Sequence, residues 1–451
     1  MKMEACSRRL YTLARHVVSG NGQQVYFSSD VNAGQSIRVE PRVALYDDKV
    51  DIALSGFSSH EKVTVHGQSV NGEKKILFGS CGQYIADENG FVDVTKQPSH
   101  GGTYTGVEPM GIVWSLQPAP GQPQQTRMAI NFTNRPGLIT LNTYAGHLDL
   151  TDIYGESGIQ PSSLASIEIE RWFRHEDVTR IEIEEGNVRG ALFLPPGDGP
   201  FQGVIDMFGS SGGLIEYRAA LLASRGFAAL SLPYFKYKDL PANLLDQGFE
   251  YFEEAVNWFS KHPKIYQGGI GVIGVSKGAE YVLCMSAYCP QVTAAVSING
   301  LFNMCIGDLK YKGEVLLKGS EIDLRDEYFT DDGLILTDAY PTRGDLIPIW
   351  KGKAKHLMLV SMDDGQVNPE SYQVLYDACP EEKKKDIEIV RYPGAGHLLE
   401  PPYNALCRAS VNRVFGVVMY WGGRPKEHAH AQEDSWQKTL EFLRENIPKT
   451  L

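Results

Sequence analysis

The chain has little cysteine: seven residues in 451, none of them in a C-x-x-C pair. They are odd in number and scattered from Cys6 to Cys407. That excludes the dense disulfide framework of a small secreted domain and the paired ligand spacing of a zinc ribbon, and a reducing compartment is expected. Long apolar runs are missing too. Gly, Pro, Lys or Asp interrupts every candidate before it reaches the ~18 residues of a membrane-spanning helix. Positive charge is in short supply: 43 Lys and Arg stand against 55 Asp and Glu, for a net charge of −12. Phosphate recognition along a polymer needs a basic face, so no nucleic-acid partner is expected, although a local cationic pocket for a small phosphorylated molecule remains open. The G-K-[ST] ending of a phosphate-cradling loop does not occur.

What is present fits a folded enzyme-sized protein, with 42% hydrophobic, 10% aromatic and 22% charged residues. At roughly 100 to 200 residues per domain, the length implies two or three cores, and two are expected here. Residues 1–36 read as an extension. From Cys6 to Ser29 there is no acidic residue, while Arg8, Arg9 and Arg15 punctuate Leu10, Tyr11, Leu13 and Val17. This is the pattern of a mitochondrial transit peptide, with a loose cytosolic tail as the alternative.

From residue 37 to about 150 short β-prone runs recur, broken by Gly, Pro, Asn and Asp: SIRVE, KVTVHGQSV, KKILFGSCG, GIVWSLQP, RMAINFTN and GLITLNTY. Regular short strands with turn signals predict a β-sandwich over residues 37–165. Its His60, His66, His100 and His147 lack metal-ligand spacing and read as solvated loop residues, so no metal site is expected. DIYGESGIQPSSLAS, rich in Gly, Pro and Ser, reads as the linker that closes this region.

Beyond it, over residues 166–451, apolar runs alternate with helical stretches: GPFQGVIDMFGSSGG, LIEYRAALLASRG, FAALSLPYF, FEYFEEAVNWFSKHP, GGIGVIGV, KGAEYVLCMSAY, VTAAVSING, HLMLVSM, ESYQVLYDACPEEKKK and IEIVRYPG. Such alternation predicts an α/β fold whose mostly parallel sheet is covered on both faces.

In that setting Gly274-Val275-Ser276-Lys277-Gly278 lies between a strand and a helix, the context that makes G-x-S-x-G a nucleophile elbow. A lone serine is a poor nucleophile, so a base and an orienting acid are required, in the chain order Ser, Asp, His on this sheet. The run HLMLVSM ends at Asp363-Asp364-Gly365, and IEIVRYPGAG ends at His397. Of the two carboxylates Asp364 is the expected partner, because a turn beginning at Ser361 directs its fourth residue toward the histidine; Asp363 is then a turn residue. The oxyanion requires two N–H donors. One is Lys277, after the nucleophile, and the other comes from the glycine-rich loop, at Gly209 or Ser210.

These stretches, together with Gly106-Val107-Glu108-Pro109-Met110-Gly111, YPGAGHLLEPPY and WGGRPKEHAHAQEDSW, resemble the type I acyl-coenzyme A thioesterases and their relative, the bile acid-coenzyme A:amino acid N-acyltransferase. The resemblance runs from about residue 37 onward. It implies an N-terminal β-sandwich packed on an α/β-hydrolase domain, a triad on Ser276, Asp364 and His397, coenzyme A thioesters as substrates, and no metal or redox cofactor. Two positions depart from the thioesterase pattern: Ala279 replaces a third glycine, and Ser361-Met362 replaces Gly-Gln. The family's N-acyltransferases carry cysteine as nucleophile, so serine favours hydrolysis to a fatty acid over conjugation. A carboxylesterase would keep the same triad and is the other alternative. Peroxisomal members end in a Ser-Lys-Leu-like tripeptide, and Lys449-Thr450-Leu451 does not match it.

Overall fold

Alternation of buried and exposed residues builds the first region. The strands Ser36–Glu40, Asp51–Ser55 and Val92–Asp93 form an antiparallel three-stranded sheet. A six-stranded sheet follows the order Val43–Leu45, Ala165–Trp172, Gly137–Ala145, Lys62–Asn71, Ile76–Ile85, Gln117–Pro118, antiparallel except at its first pair. Ile37, Ile52 and Leu54 of the small sheet share one buried core with Val63, Val65 and Ile169 of the large one, so the two inner faces make a sandwich. The computed structural model describes residues 34–72, 75–128, 132–155, 161–323, 328–339, 344–412 and 414–450. Nearly all of the arginine-bearing extension, 1–33, therefore lies outside the described residues.

Three sequence expectations for this region differ from the fold. GIVWSLQP holds a buried helical turn, Gly111–Trp114, and only Gln117–Pro118 joins the sheet. Packing overrides β propensity here: the Tyr104 ring would lie 2.4 Å from a Cβ at Gly111. The expected strand RMAINFTN is not formed at Arg127, Met128 or Phe132, and residues 129–131 fall outside the described set. His66 is not a solvated loop residue. It is buried within Lys62–Asn71, with its Nε2 3.0 Å from the Tyr154 hydroxyl. In addition, Ala165–Trp172 alternates buried positions with exposed or half-buried ones and pairs with Gly137–Ala145, so the sandwich sheet extends past residue 165.

The second region is one eight-stranded sheet in the order Thr179–Glu185, Val188–Leu194, Ala228–Ser231, Gly203–Met207, Ile270–Val275, Val292–Ile298, Lys355–Ser361, Ile387–Tyr392. Val188–Leu194 pairs antiparallel with both neighbours, and every pair from Ala228–Ser231 onward is parallel. This is the α/β-hydrolase sheet. The central strand is apolar throughout because both its faces are covered. Ile270 and Val272 enter a core with helices Phe249–Ser260 and Lys277–Tyr288; Ile273 and Val275 enter another with Tyr217–Ser224 and Pro425–Asn446.

The last helix joins the two regions. Its Ala429 belongs to the sandwich core, whereas Trp436, Leu440 and Leu443 belong to the hydrolase core. Buried Glu108 pairs with Lys426 Nζ at 2.8 Å and accepts a hydrogen bond from His430 Nε2 at 2.9 Å. Arg225 holds Asp47 in a two-pronged ion pair, and Trp436 Nε1 donates to the same carboxylate at 2.7 Å. Among the described residues no helix is long and apolar enough to cross a membrane.

Candidate active site

Ser276 sits at φ 57° and ψ −127°, one residue past the strand Ile270–Val275 and one before the helix Lys277–Tyr288. A side-chain-bearing residue held there costs about 1–3 kcal/mol and persists only where its surroundings fix it. Its N–H donates to Ile298 O at 2.9 Å, and its carbonyl accepts from Ala279 N–H at 2.9 Å. The flanking glycines are steric requirements. A Cβ at Gly274 would lie 2.4 Å from Gly278 O, and one at Gly278 would lie 2.5 Å from Phe208 O. Ala279 is accommodated because residue 300 is glycine: a Cβ there would come within 2.6 Å of the Ala279 methyl.

The glycine-rich loop lies against the elbow. A Cβ at Gly209 would be 2.9 Å from Ser276 Cβ. The Tyr234 hydroxyl reaches the carbonyls of Phe208 and Gly209, each at 3.0 Å. In trans peptides this turns the N–H groups of Gly209 and Ser210 away from Tyr234. Behind the elbow, Lys277 Nζ donates to Glu280 Oε2 at 2.7 Å and to Cys305 O at 2.6 Å, while Cys305 N–H donates to Glu280 at 3.0 Å. Burial alone would lower the Lys277 pKa, but the adjoining Glu280 carboxylate outweighs it and holds the ammonium above its ordinary value. The residue expected to supply an N–H donor is thus fixed by its side chain as well.

Asp364 and His397 meet directly. The His397 Nδ1 is 2.8 Å from Asp364 Oδ2, with both side chains buried. The other carboxylate oxygen, Oδ1, accepts the N–H groups of Gln366 at 2.6 Å and Val367 at 3.0 Å. Asp363 faces elsewhere: it is exposed, and its Oδ2 accepts Gly423 N–H at 3.2 Å. Ser276, Asp364 and His397 all lie just beyond the carboxyl ends of their strands. The link from Ser276 to the other two runs through Asn299. Ile298 accepts the Ser276 N–H, and Asn299 Nδ2 then donates to His397 O at 2.8 Å and Ser361 Oγ at 3.0 Å.

Several neighbours escape sequence reasoning. Trp421 stacks on the His397 ring, with centroids 5.6 Å apart at 16°, and its carbonyl accepts the His397 N–H at 2.8 Å. His428 Nδ1 accepts Gly396 N–H at 3.1 Å, so the ring is neutral, and burial lowers its pKa to about 4. Only the Lys277–Glu280 pair had a readable signal, its i,i+3 spacing on a helix. No cluster of three or more His, Cys, Asp or Glu placed to hold a metal occurs among the described residues.

Two family descriptions match the chain: the acyl-CoA thioester hydrolase/BAAT N-terminal region over residues 47–185, and the BAAT/acyl-CoA thioester hydrolase C-terminal region over residues 248–449. The chain belongs to this family. Acyl-coenzyme A amino acid N-acyltransferase 1 of Mus musculus is 40% identical over 410 residues, covering 90% of this chain and 96% of that protein. Acyl-coenzyme A thioesterase 2, mitochondrial, of Homo sapiens is 36% identical over 435 residues, covering 92% and 87%. Among solved structures, a dienelactone hydrolase of Klebsiella pneumoniae, itself described as putative, aligns with 59% of this chain and 98% of its own at 16% identity and a TM-score of 0.39.

Proposed function

We propose that this family member hydrolyses fatty acyl-CoA to a free fatty acid and coenzyme A through an acyl-serine intermediate. The observation that carries the reading is Ser276, held at φ 57° on the elbow at the same sheet edge as the buried Asp364–His397 pair. His397, bonded to Asp364 through Nδ1, uses Nε2 to take the Ser276 proton as the hydroxyl oxygen attacks the thioester carbonyl. The N–H groups of Lys277 and of Gly209 or Ser210 receive the charge that develops on the carbonyl oxygen. The C–S bond breaks, and the imidazolium returns its proton to coenzyme A as the thiol leaves. Water, activated by the same imidazole, then cleaves the acyl-serine ester. Ser276→Ala should lower thiol release by about 10³-fold or more while the unfolding midpoint is retained. Undiminished thiol release would refute the mechanism.

The N-acyltransferase relative supports a second reading, in which an amino acid instead of water accepts the acyl group. Serine is the observation against it, because an oxygen ester is less reactive toward an amine than the thioester a cysteine would form. Assaying acyl-CoA and bile acyl-CoA with and without taurine separates the two, conjugate formation supporting transfer. The acid-free, arginine-bearing segment within residues 1–36 supports a mitochondrial matrix address. A fluorescent reporter fused to that segment decides between import and a diffuse cytosolic signal.

A further inference from the structure

The sandwich contributes none of the groups assigned to chemistry, yet one of its side chains reaches the site. Arg127 is anchored in the sandwich, where its carbonyl accepts Asn71 Nδ2 at 2.9 Å from the end of the strand Lys62–Asn71. Its guanidinium crosses to the hydrolase domain. There it forms an ion pair with Glu400 and lies 5.5 Å from the centre of the Phe208 ring. Phe208 immediately precedes Gly209 in the glycine-rich loop, and Glu400 is three residues past His397. The circuit closes on Tyr217, whose hydroxyl donates to the same Glu400 oxygen at 2.8 Å and whose ring meets Phe208 edge-on at 6.2 Å. The Glu400 side chain is only 8% exposed, so its carboxylate depends on the counter-charge beside it.

We propose that Arg127 is a positioning residue through which the N-terminal sandwich holds the oxyanion loop and the histidine loop in register. Arg127 touches no reacting atom. It contacts Phe208 through its ring and Glu400 through its carboxylate, and so sets the distance between the donor at Gly209 or Ser210 and the base at His397. Removing it strands a buried carboxylate beside the histidine loop, which must then shift toward water or a new partner. The inference rests on the hydrolase reading for what the two loops do, but its test does not require an acyl-CoA substrate.

The experiment compares wild type, Arg127→Met, Arg127→Lys and Glu400→Gln in the full chain, reading the rate at which a fluorophosphonate labels Ser276 beside the unfolding midpoint. Thiol release from acyl-CoA is followed in parallel. Arg127→Met is expected to label roughly 10- to 100-fold more slowly, the scale at which a misplacement of about 1 Å acts. Its kcat for thiol release should fall in parallel, with KM changed less. Arg127→Lys should recover part of the rate, and Glu400→Gln should show an intermediate loss. Wild-type labelling by folded Arg127→Met, with only the unfolding midpoint lowered, would overturn the proposal. Should that variant not fold, wild-type labelling by Glu400→Gln would overturn it equally. Labelling of the wild type without thiol release sinks the thioesterase reading alone, and a wild type that is not labelled sinks the acyl-serine reading and the positioning role with it.

Discussion

At the scale of single residues, the two adjacent carboxylates make the sharpest contrast. Asp364 Oδ2 faces the imidazole while Oδ1 is held by two backbone N–H groups; Asp363 is exposed and accepts one N–H from Gly423. Only the former can fix the imidazole tautomer and stabilise an imidazolium. Asp364→Asn is therefore expected to lower kcat by about 10⁴-fold, whereas Asp363→Asn leaves it within about tenfold. Steady-state thiol release on both variants checks the ranking, and the reverse order would assign the acid role to Asp363. The placement of Ser276, Asp364 and His397 just past strand ends was legible because each follows an apolar run at a turn, a local pattern. Asn299 was not. Its role depends on a hydroxyl 62 residues away and a carbonyl 98 residues away, which no local pattern encodes. The same holds for Ser361. At the sequence level it is only a departure from Gly-Gln, yet in the fold its hydroxyl and N–H both engage Asn299, at 3.0 and 2.8 Å.

At the scale of elements, the elbow and the glycine-rich loop behave as one unit, because the missing side chain of Gly278 leaves the space that the backbone of the loop fills. A methyl at Gly278 would meet Phe208 O at 2.5 Å and Met207 O at 2.9 Å, backbone atoms that cannot rotate aside. Gly278→Ala must push the loop carrying Gly209 away from Ser276. We expect a stability cost of about 1–3 kcal/mol from overpacking. A loss of about 10²-fold in kcat should accompany it as the loop's proposed oxyanion donor retreats. Urea unfolding and single-turnover kinetics on the same preparation separate the two effects, and a variant with full kcat would show that the loop is free of the elbow. The strand–helix alternation around this unit was readable because each buried strand is a continuous apolar run between turn signals. The four-stranded sheet of Phe329–Thr330, Gly333–Leu334, Val417–Tyr420 and Ala409–Asn412 was not. Its strands are two to four residues long and join segments far apart in sequence, too short for periodicity to register.

Across the whole molecule, stability is tied to three histidines that burial keeps neutral, one in each part of the architecture. His66 lies in the sandwich, His356 on the strand Lys355–Ser361, and His428 on the helix that joins the two regions; burial lowers each pKa from 6.5 to about 4. His428 has a further task, since its unprotonated Nδ1 accepts the Gly396 N–H beside His397. In the unfolded chain all three bind protons near pH 6.5, while the folded chain resists until about pH 4. Between those values the unfolded state carries more protons, so stability falls as the pH falls. It is fully present above about 6.5 and is progressively lost toward 4. Each histidine adds a slope of about 1.4 kcal/mol per pH unit in that window. Depressed carboxylates such as Asp93 and Glu182 add their share only at lower pH, because their ordinary range already lies near 4. Urea unfolding at steps from pH 7.5 to 4.5 should therefore show stability declining before the carboxylates titrate. Replacing His356 by Gln should shallow the decline by about one proton. Stability that stays level from pH 7 to 5 would mean that these rings gain protons in the folded state as readily as in the unfolded one, and that their burial does not oppose charging.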